Sequence, residues 1–244
     1  MYGKCNFLIL LLTVLEIVDC KYHELSRIGG GGRIDNFKYI VAILNHHTHK
    51  FCGGTPLSDN YILTARHCVC DIETLEPQQN AFYVKYGSTH FPSGKHINVA
   101  DIHCNQEADV AIIKLQGSME KSDDWGIPSL QTTPFDTSKN HSAMAVGWGT
   151  TKPGGTVTPD LKKLIFTIYS NETCHMPFLL CLGSEHGSIC SGDSGSPIFS
   201  GGNVVGVNSF VMGRCGHSNE KHPDWVVDVS TVYPWIKSTA GLKG

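Results

Sequence analysis

The chain has 244 residues, 41% of them hydrophobic, with 26 glycines and a formal net charge of −3. That length and apolar content suit one large all-β domain or two small domains, and the glycines favour a turn-rich fold over a helical bundle. A charge so close to balance, with no run of Lys or Arg, argues against nucleic acid or an anionic membrane as partner.

The N-terminus carries Lys4 and then an apolar stretch from Phe7 to Val18, interrupted only by Thr13 and Glu16. A membrane-spanning helix needs about 20 apolar residues, so residues 1–20 read as a secretory signal peptide cleaved after Cys20. No later stretch is long enough to span a bilayer. Of the ten cysteines, Cys5 and Cys20 leave with the signal, and an even number remains: Cys52, Cys68, Cys70, Cys104, Cys174, Cys181, Cys190 and Cys215. This predicts disulfides in a secreted, extracellular protein. Cys68-Val69-Cys70 is too tight for a zinc pair, and no Cys-x-x-Cys follows it. Spacing alone does not choose the pairing.

After a glycine run at Gly29–Gly32, short apolar or alternating segments recur between turn residues. Tyr39–Leu44, Tyr61–Ala65, Phe82–Tyr86, Ile97–Ile102 and Val110–Leu115 read as strands, with Phe82, Val84 and Tyr86 alternating as in a half-buried strand. The stretch 116–140 lacks periodicity and reads as a long surface connection between two halves. Ala143–Trp148, Leu164–Tyr169, Asn203–Val207 and Trp225–Val229 resume the strand pattern. One helix is expected, Val232 to Thr239, capped by Ser230 or Thr231. Many short strands between Gly, Pro, Asn and Asp turns predict a barrel or a sandwich. There is no internal repeat.

Three motifs carry chemistry: Thr64-Ala65-Arg66-His67-Cys68, Asp109 opening Val110–Leu115, and Ser191-Gly192-Asp193-Ser194-Gly195-Ser196-Pro197. Each alone has an ordinary structural reading: a structural histidine, a strand boundary, a turn. Together they supply what acyl transfer by serine needs: a hydroxyl, a base, and a carboxylate to orient the base. Glycines flanking Ser194 allow a sharp turn in which backbone N–H groups converge on an oxyanion. The chain order His, Asp, Ser differs from that of subtilisins and of α/β-hydrolases and matches the chymotrypsin arrangement.

With Phe51-Cys52-Gly53-Gly54, Gly147-Trp148-Gly149 and Tyr233-Pro234-Trp235-Ile236 added, the sequence resembles the trypsin/chymotrypsin family over essentially all of residues 28–244. The resemblance implies an all-β fold of two six-stranded antiparallel β-barrels with a C-terminal helix, the boundary falling at about 116–140. It implies His67 as base, Asp109 as its orienting carboxylate, Ser194 as nucleophile, and Gly192 and Ser194 N–H groups as the oxyanion hole. Ser209 matches the serine that hydrogen-bonds the buried Asp. The family pairs Cys52 with Cys68, Cys190 with Cys215 and Cys174 with Cys181; Cys70 and Cys104 are left over and are paired by elimination. Arg27-Ile28-Gly29-Gly30 resembles the activation site, making 21–27 a propeptide whose removal lets the Ile28 amine pair with Asp193. Arg33-Ile34 competes but lies too close to the first strand.

The pocket departs from trypsin. Ser188 stands at its base where trypsin-like enzymes carry Asp, Val211 would narrow its mouth, and Asp224 would put a carboxylate deep inside. That carboxylate either accepts a basic side chain or is sequestered, leaving an elastase-like pocket. Arg66, Gly29 and Ser196 are further departures. Asn140 and Asn171 open N-glycosylation sequons. His46-His47-Thr48-His49 reads as a solvated loop, and a calcium loop over Asp71–Glu76 has little support; no cofactor or metal is expected. The expected partners of this monomer are a protein or peptide substrate, an activating protease and protein inhibitors. The rival class is a catalytically inactive homologue with a binding or regulatory role, whose usual mark, a lost triad residue, is missing.

Overall fold

The alternation in Phe82–Tyr86 is realised as β4, whose Phe82, Val84 and Tyr86 are buried while Tyr83 and Lys85 are not. In this computed structural model, residues 32–48, 50–170, 178–211, 215–216 and 218–243 are described, the side chains of Phe210 and Val211 excepted. The expected signal peptide, the propeptide with Arg27 and Ile28, and Asn171 and Cys174 lie outside the described residues.

The first barrel uses β1 (Val41–Asn45), β2 (Phe51–Pro56), β3 (Tyr61–Thr64), β4 (Phe82–Tyr86), β5 (Lys95–Cys104) and β6 (Ala111–Leu115). It closes in the order β1-β2-β3-β6-β5-β4. The second uses β7 (His141–Gly147), β8 (Lys162–Ile168), β9 (Leu179–Gly183), β10 (Pro197–Ser200), β11 (Asn203–Val211) and β12 (Asp224–Asp228), closed as β10-β11-β12-β9-β8-β7. All pairings are antiparallel. Closure leaves no strand edge exposed for pairing with another chain.

Three strands escape the sequence pattern. β2 contains two glycines and ends in proline, which reads as a turn. Both glycines answer a packing demand instead. A Cβ at Gly53 would come within 1.9 Å of Ser196 Oγ, and one at Gly54 within 2.7 Å of Ile62 Cγ2. β10 is only four residues long and starts on proline, which a strand tolerates at its first position. β9 is an apolar run without alternation.

Each barrel has its own core, around Ile43, Ile62 and Ile113 in the first and Phe166, Ile168 and Leu182 in the second. A third cluster joins them. The helix α2 (Val229–Ala240) lays Val232, Ile236 and Ala240 on Leu63 and Ile112 of one barrel and Val204 and Val207 of the other. Its N-cap is Asp228 rather than Ser230 or Thr231, so it begins three residues before the expected start. The Asp228 carboxylate accepts the Ser230 N–H at 2.9 Å, supplying the orphan donor with an acceptor two positions before Ser230. Gly241 ends the helix in a left-handed conformation at φ 63°.

Candidate active site

His67 sits in the single-turn helix α1 (Arg66–Val69), which leaves β3 at Ala65. Two disulfides hold its surroundings: Cys68 to Cys52 on β2, and Cys70 to Cys104 at the end of β5. Cys104 is paired with Ala111 across the β5–β6 hairpin, so the second bridge ties the histidine turn to the loop that carries Asp109. Arg66 adds to this tie, donating from Nη1 to the Asn105 carbonyl at 2.6 Å. Asn105 in turn accepts the N–H groups of Glu107 and Ala108, shaping the same loop. The sequence marks Arg66 as unusual; its acceptor is a main-chain carbonyl, which no side-chain pattern reveals.

The Asp109 carboxylate accepts the His67 main-chain N–H on Oδ1 at 2.9 Å and lies 2.7 Å from His67 Nδ1 through Oδ2. A carboxylate oxygen only accepts, so the proton belongs on Nδ1 and Nε2 is left as a base. The Ser209 hydroxyl donates to the same Oδ2. Ser209 reaches it from a bulge in β11, where the pairing with β12 shifts between Asn208 and Phe210. Burial alone would raise the Asp109 carboxyl. The hydrogen bond and charge of His67, with the Ser209 bond, outweigh it and hold the group below the ordinary carboxylate value.

Ser194 lies in a turn clamped by both barrels. Gly53 N–H of β2 donates to its carbonyl at 2.8 Å, and Gly195 N–H donates to Asn208 O of β11 at 2.8 Å. Gly192 and Gly195 take φ of 93° and 79°, which favour glycine, and a Cβ at Gly195 would meet Thr64 Oγ1 at 2.2 Å. Among the described residues, neither the Gly192 nor the Ser194 N–H donates to a protein acceptor. Ser194, Gly192 and His67 line one cleft of about 540 Å³. The cleft thus brings together an imidazole, a serine hydroxyl and a pair of main-chain N–H groups, the parts that acyl transfer by serine requires.

Behind the serine, Asp193 is fully buried. It accepts Gly149 N–H at 2.8 Å and Cys190 N–H at 3.0 Å, with no cation beside it among the described residues. Burial drives its carboxyl up to about 7 against those two bonds. Gly147 and Gly149 make room for it, since a Cβ at either would lie within 2.2 Å of its oxygens.

Ser188, 0% exposed, accepts the Gly216 N–H at 2.6 Å and donates to Ile189 O at 3.1 Å. Asp224, 1% exposed, accepts the Ile189 N–H at 2.8 Å. The Ser218 proton can go to Gly187 O at 3.0 Å or to this carboxylate. Burial pushes Asp224 up to about 7, with the two bonds opposing and the Asp193 charge adding. Backbone pairing places Val211 opposite Asp224; the Val211 side chain, expected at the pocket mouth, lies outside the described residues. Cys190–Cys215 closes the pocket loop. Cys181 is disulfide-bonded, and its expected partner Cys174 is outside the described residues. Asn140 is exposed and accepts the Ser170 N–H. In the Asp71–Glu76 loop, Asp71 Oδ1 accepts the Glu73 and Thr74 N–H groups and the Thr74 hydroxyl. No helix among the described residues is long and apolar enough to cross a membrane.

Residues 29–236 match the trypsin family model. Among curated proteins, trypsin alpha of Drosophila melanogaster is 29% identical over 88% of each chain. Serine protease SP24D of Anopheles gambiae is 30% identical over 89% of this chain and 83% of its own. Among solved structures, neuropsin, a serine protease of mouse brain, superposes with a TM-score of 0.73 at 25% identity, covering 86% of this chain and 98% of neuropsin. A scabies mite inactivated protease paralogue superposes with a TM-score of 0.76 at 22% identity, over 87% of this chain and 97% of its own.

Proposed function

We propose that this chain, which belongs to the trypsin family, is a secreted serine endopeptidase made as an inactive precursor and working through an acyl-enzyme. The observation that carries the reading is the hydrogen-bonded line Ser209–Asp109–His67 ending at a cleft shared with Ser194. In the proposed cycle, His67 Nε2 takes the Ser194 proton as the hydroxyl attacks the substrate carbonyl. The Gly192 and Ser194 N–H groups hold the oxyanion. His67 then hands its proton to the leaving amine, and Asp109 stabilises the imidazolium throughout. Water repeats the sequence on the acyl-enzyme.

Cleavage after Arg27 activates the chain in this reading, by an activating protease that leaves Ile28 as the new terminus. Asp193 supports it: buried, and without a counter-charge among the described residues, it is a site that an ammonium group would complete. The Asp224 environment favours the sequestered alternative for the pocket. Its carboxylate is bonded to the Ile189 amide and buried, so the pocket suits Ala, Val or similar side chains more than Arg or Lys. Residues 1–20 act as the signal peptide, the enzyme is a monomer open to protein inhibitors, and Asn140 and Asn171 are glycosylated.

A fluorophosphonate probe tests the reading. After cleavage following Arg27, the folded protein is expected to be labelled at Ser194, and Ser194→Ala to abolish labelling. Folded, correctly cleaved protein that stays unlabelled would establish an inactive homologue instead.

A further inference from the structure

Among the described residues that line it, the cleft beside Ser194 carries one cation, Lys50, and no carboxylate. Its lining includes Phe51, Cys52, Thr150 and Val157, together with Lys50, His67, Gly192 and Ser194. Ser188 and Asp224, both assigned to the specificity pocket, are not among the described residues that line it. If the acyl half of a substrate puts its side chain in that pocket, the cleft is left for the other half. His67 lines it as well, and His67 is the group that protonates the leaving amine, so the leaving half passes through this space.

Lys50 is half-buried just before β2 begins, and its ammonium donates to the His67 carbonyl. It forms no ion pair among the described residues. An ammonium has three protons, and one is used. Burial lowers its basicity, and the more distant Asp109 charge restores only part of it. The wall beside it is fixed: Phe51 packs edge-on against Phe91 and Trp148, at ring-centre distances of 4.9 and 6.2 Å. A partly dry cation with two free protons, on a rigid wall without a carboxylate, is complementary to an anion brought by the ligand.

We propose that Lys50 is a specificity-determining residue that binds an acidic side chain, Asp or Glu, within the first two residues after the scissile bond. This rests on the protease reading above. It adds a preference on the leaving side that is independent of the Ser188–Asp224 pocket.

The test uses the full chain after cleavage following Arg27. Peptides identical except for Glu or Gln at the first or second position after the scissile bond are compared by kcat/KM. Native protein is expected to favour Glu at one of these positions by roughly tenfold, with the ratio shrinking as salt rises. Lys50→Gln is expected to bring the ratio close to one, and Lys50→Arg to keep most of it. The ratio cancels any effect of the substitution on His67 itself. Equal cleavage of both members by native protein, or a ratio that survives in Lys50→Gln, overturns the inference and leaves the protease reading intact. Failure to cleave any peptide overturns both.

Discussion

Single side chains divide the site into groups that act by position and groups that act by charge. Asp109 does both, since it faces the ring and the main-chain N–H of His67 together. An Asp109→Asn change keeps the shape and removes the charge, and the amide can offer an N–H where His67 Nδ1–H needs an acceptor. In the serine-protease triad from which this rule is drawn, that change costs about 10⁴ in kcat. The same loss is expected here, read by hydrolysis of a peptide ester. Ser209→Ala removes one donor and leaves the tautomer intact, so a loss on the order of tenfold is expected. Equal losses in the two variants would contradict this division. Asp224 yields a second prediction. With its carboxyl pushed up to about 7 by burial, it is neutral below that pH and charged above it. The ratio of cleavage after Arg or Lys to cleavage after Ala or Val should therefore rise as pH passes through about 7. It should stay flat in Asp224→Asn. Both substrates depend alike on His67, so its titration drops out of the ratio.

Elements show why part of the fold is readable from the chain and part is not. β4 declares itself because one face is buried and the period-two pattern survives, and β6 because its apolar run is buried on both faces except at Lys114. β2 does not, because its glycines are dictated by Ser196 and Ile62, which approach from elsewhere in the sequence. The same holds at the site. His67, Asp109 and Ser194 stand out by motif and order. Lys50 and the Arg66–Asn105 bond do not, because their partners are main-chain carbonyls fixed by tertiary packing. The Cys70–Cys104 bridge, with a sequence separation of 34, closes the segment running from the histidine turn through β4 and β5. Loop-closure entropy for that length predicts a loss of about 4 kcal/mol in Cys70→Ala/Cys104→Ala, measured by denaturant unfolding. Because the bridge also positions His67 against Asp109, kcat should fall at temperatures where the double variant is still folded. A variant with native stability and native kcat would show that the hairpin and Arg66 hold the loop unaided.

At the scale of the whole molecule, the Ser194 turn that both barrels hold is backed by a buried acid. Asp193 sits where the Ser194 turn, Gly149 and the pocket loop converge, and among the described residues it has hydrogen bonds but no counter-charge. Its folded value of about 7 lies above the ordinary 3.8, as does that of Asp224. A group raised in this direction stabilises the fold fully below its unfolded value and loses that contribution as pH rises through the folded one. For Asp193, a change from 3.8 to about 7 corresponds to a cost on the order of 4 kcal/mol for carrying the charge at high pH. In the proposed activation, the Ile28 ammonium arrives beside that carboxylate and removes its share of the cost, leaving the Asp224 share unchanged. The precursor form of Ser194→Ala should therefore lose thermal stability between about pH 4 and pH 8. The same protein cleaved after Arg27 should lose distinctly less. Asp193→Asn in the precursor should remove the Asp193 share of the slope without cleavage, because the amide has no charge to bury, and leave the Asp224 share. Identical pH profiles for the cleaved and uncleaved forms would mean that the new terminus does not reach Asp193. The link between activation and the order of the Ser194 turn would then fail.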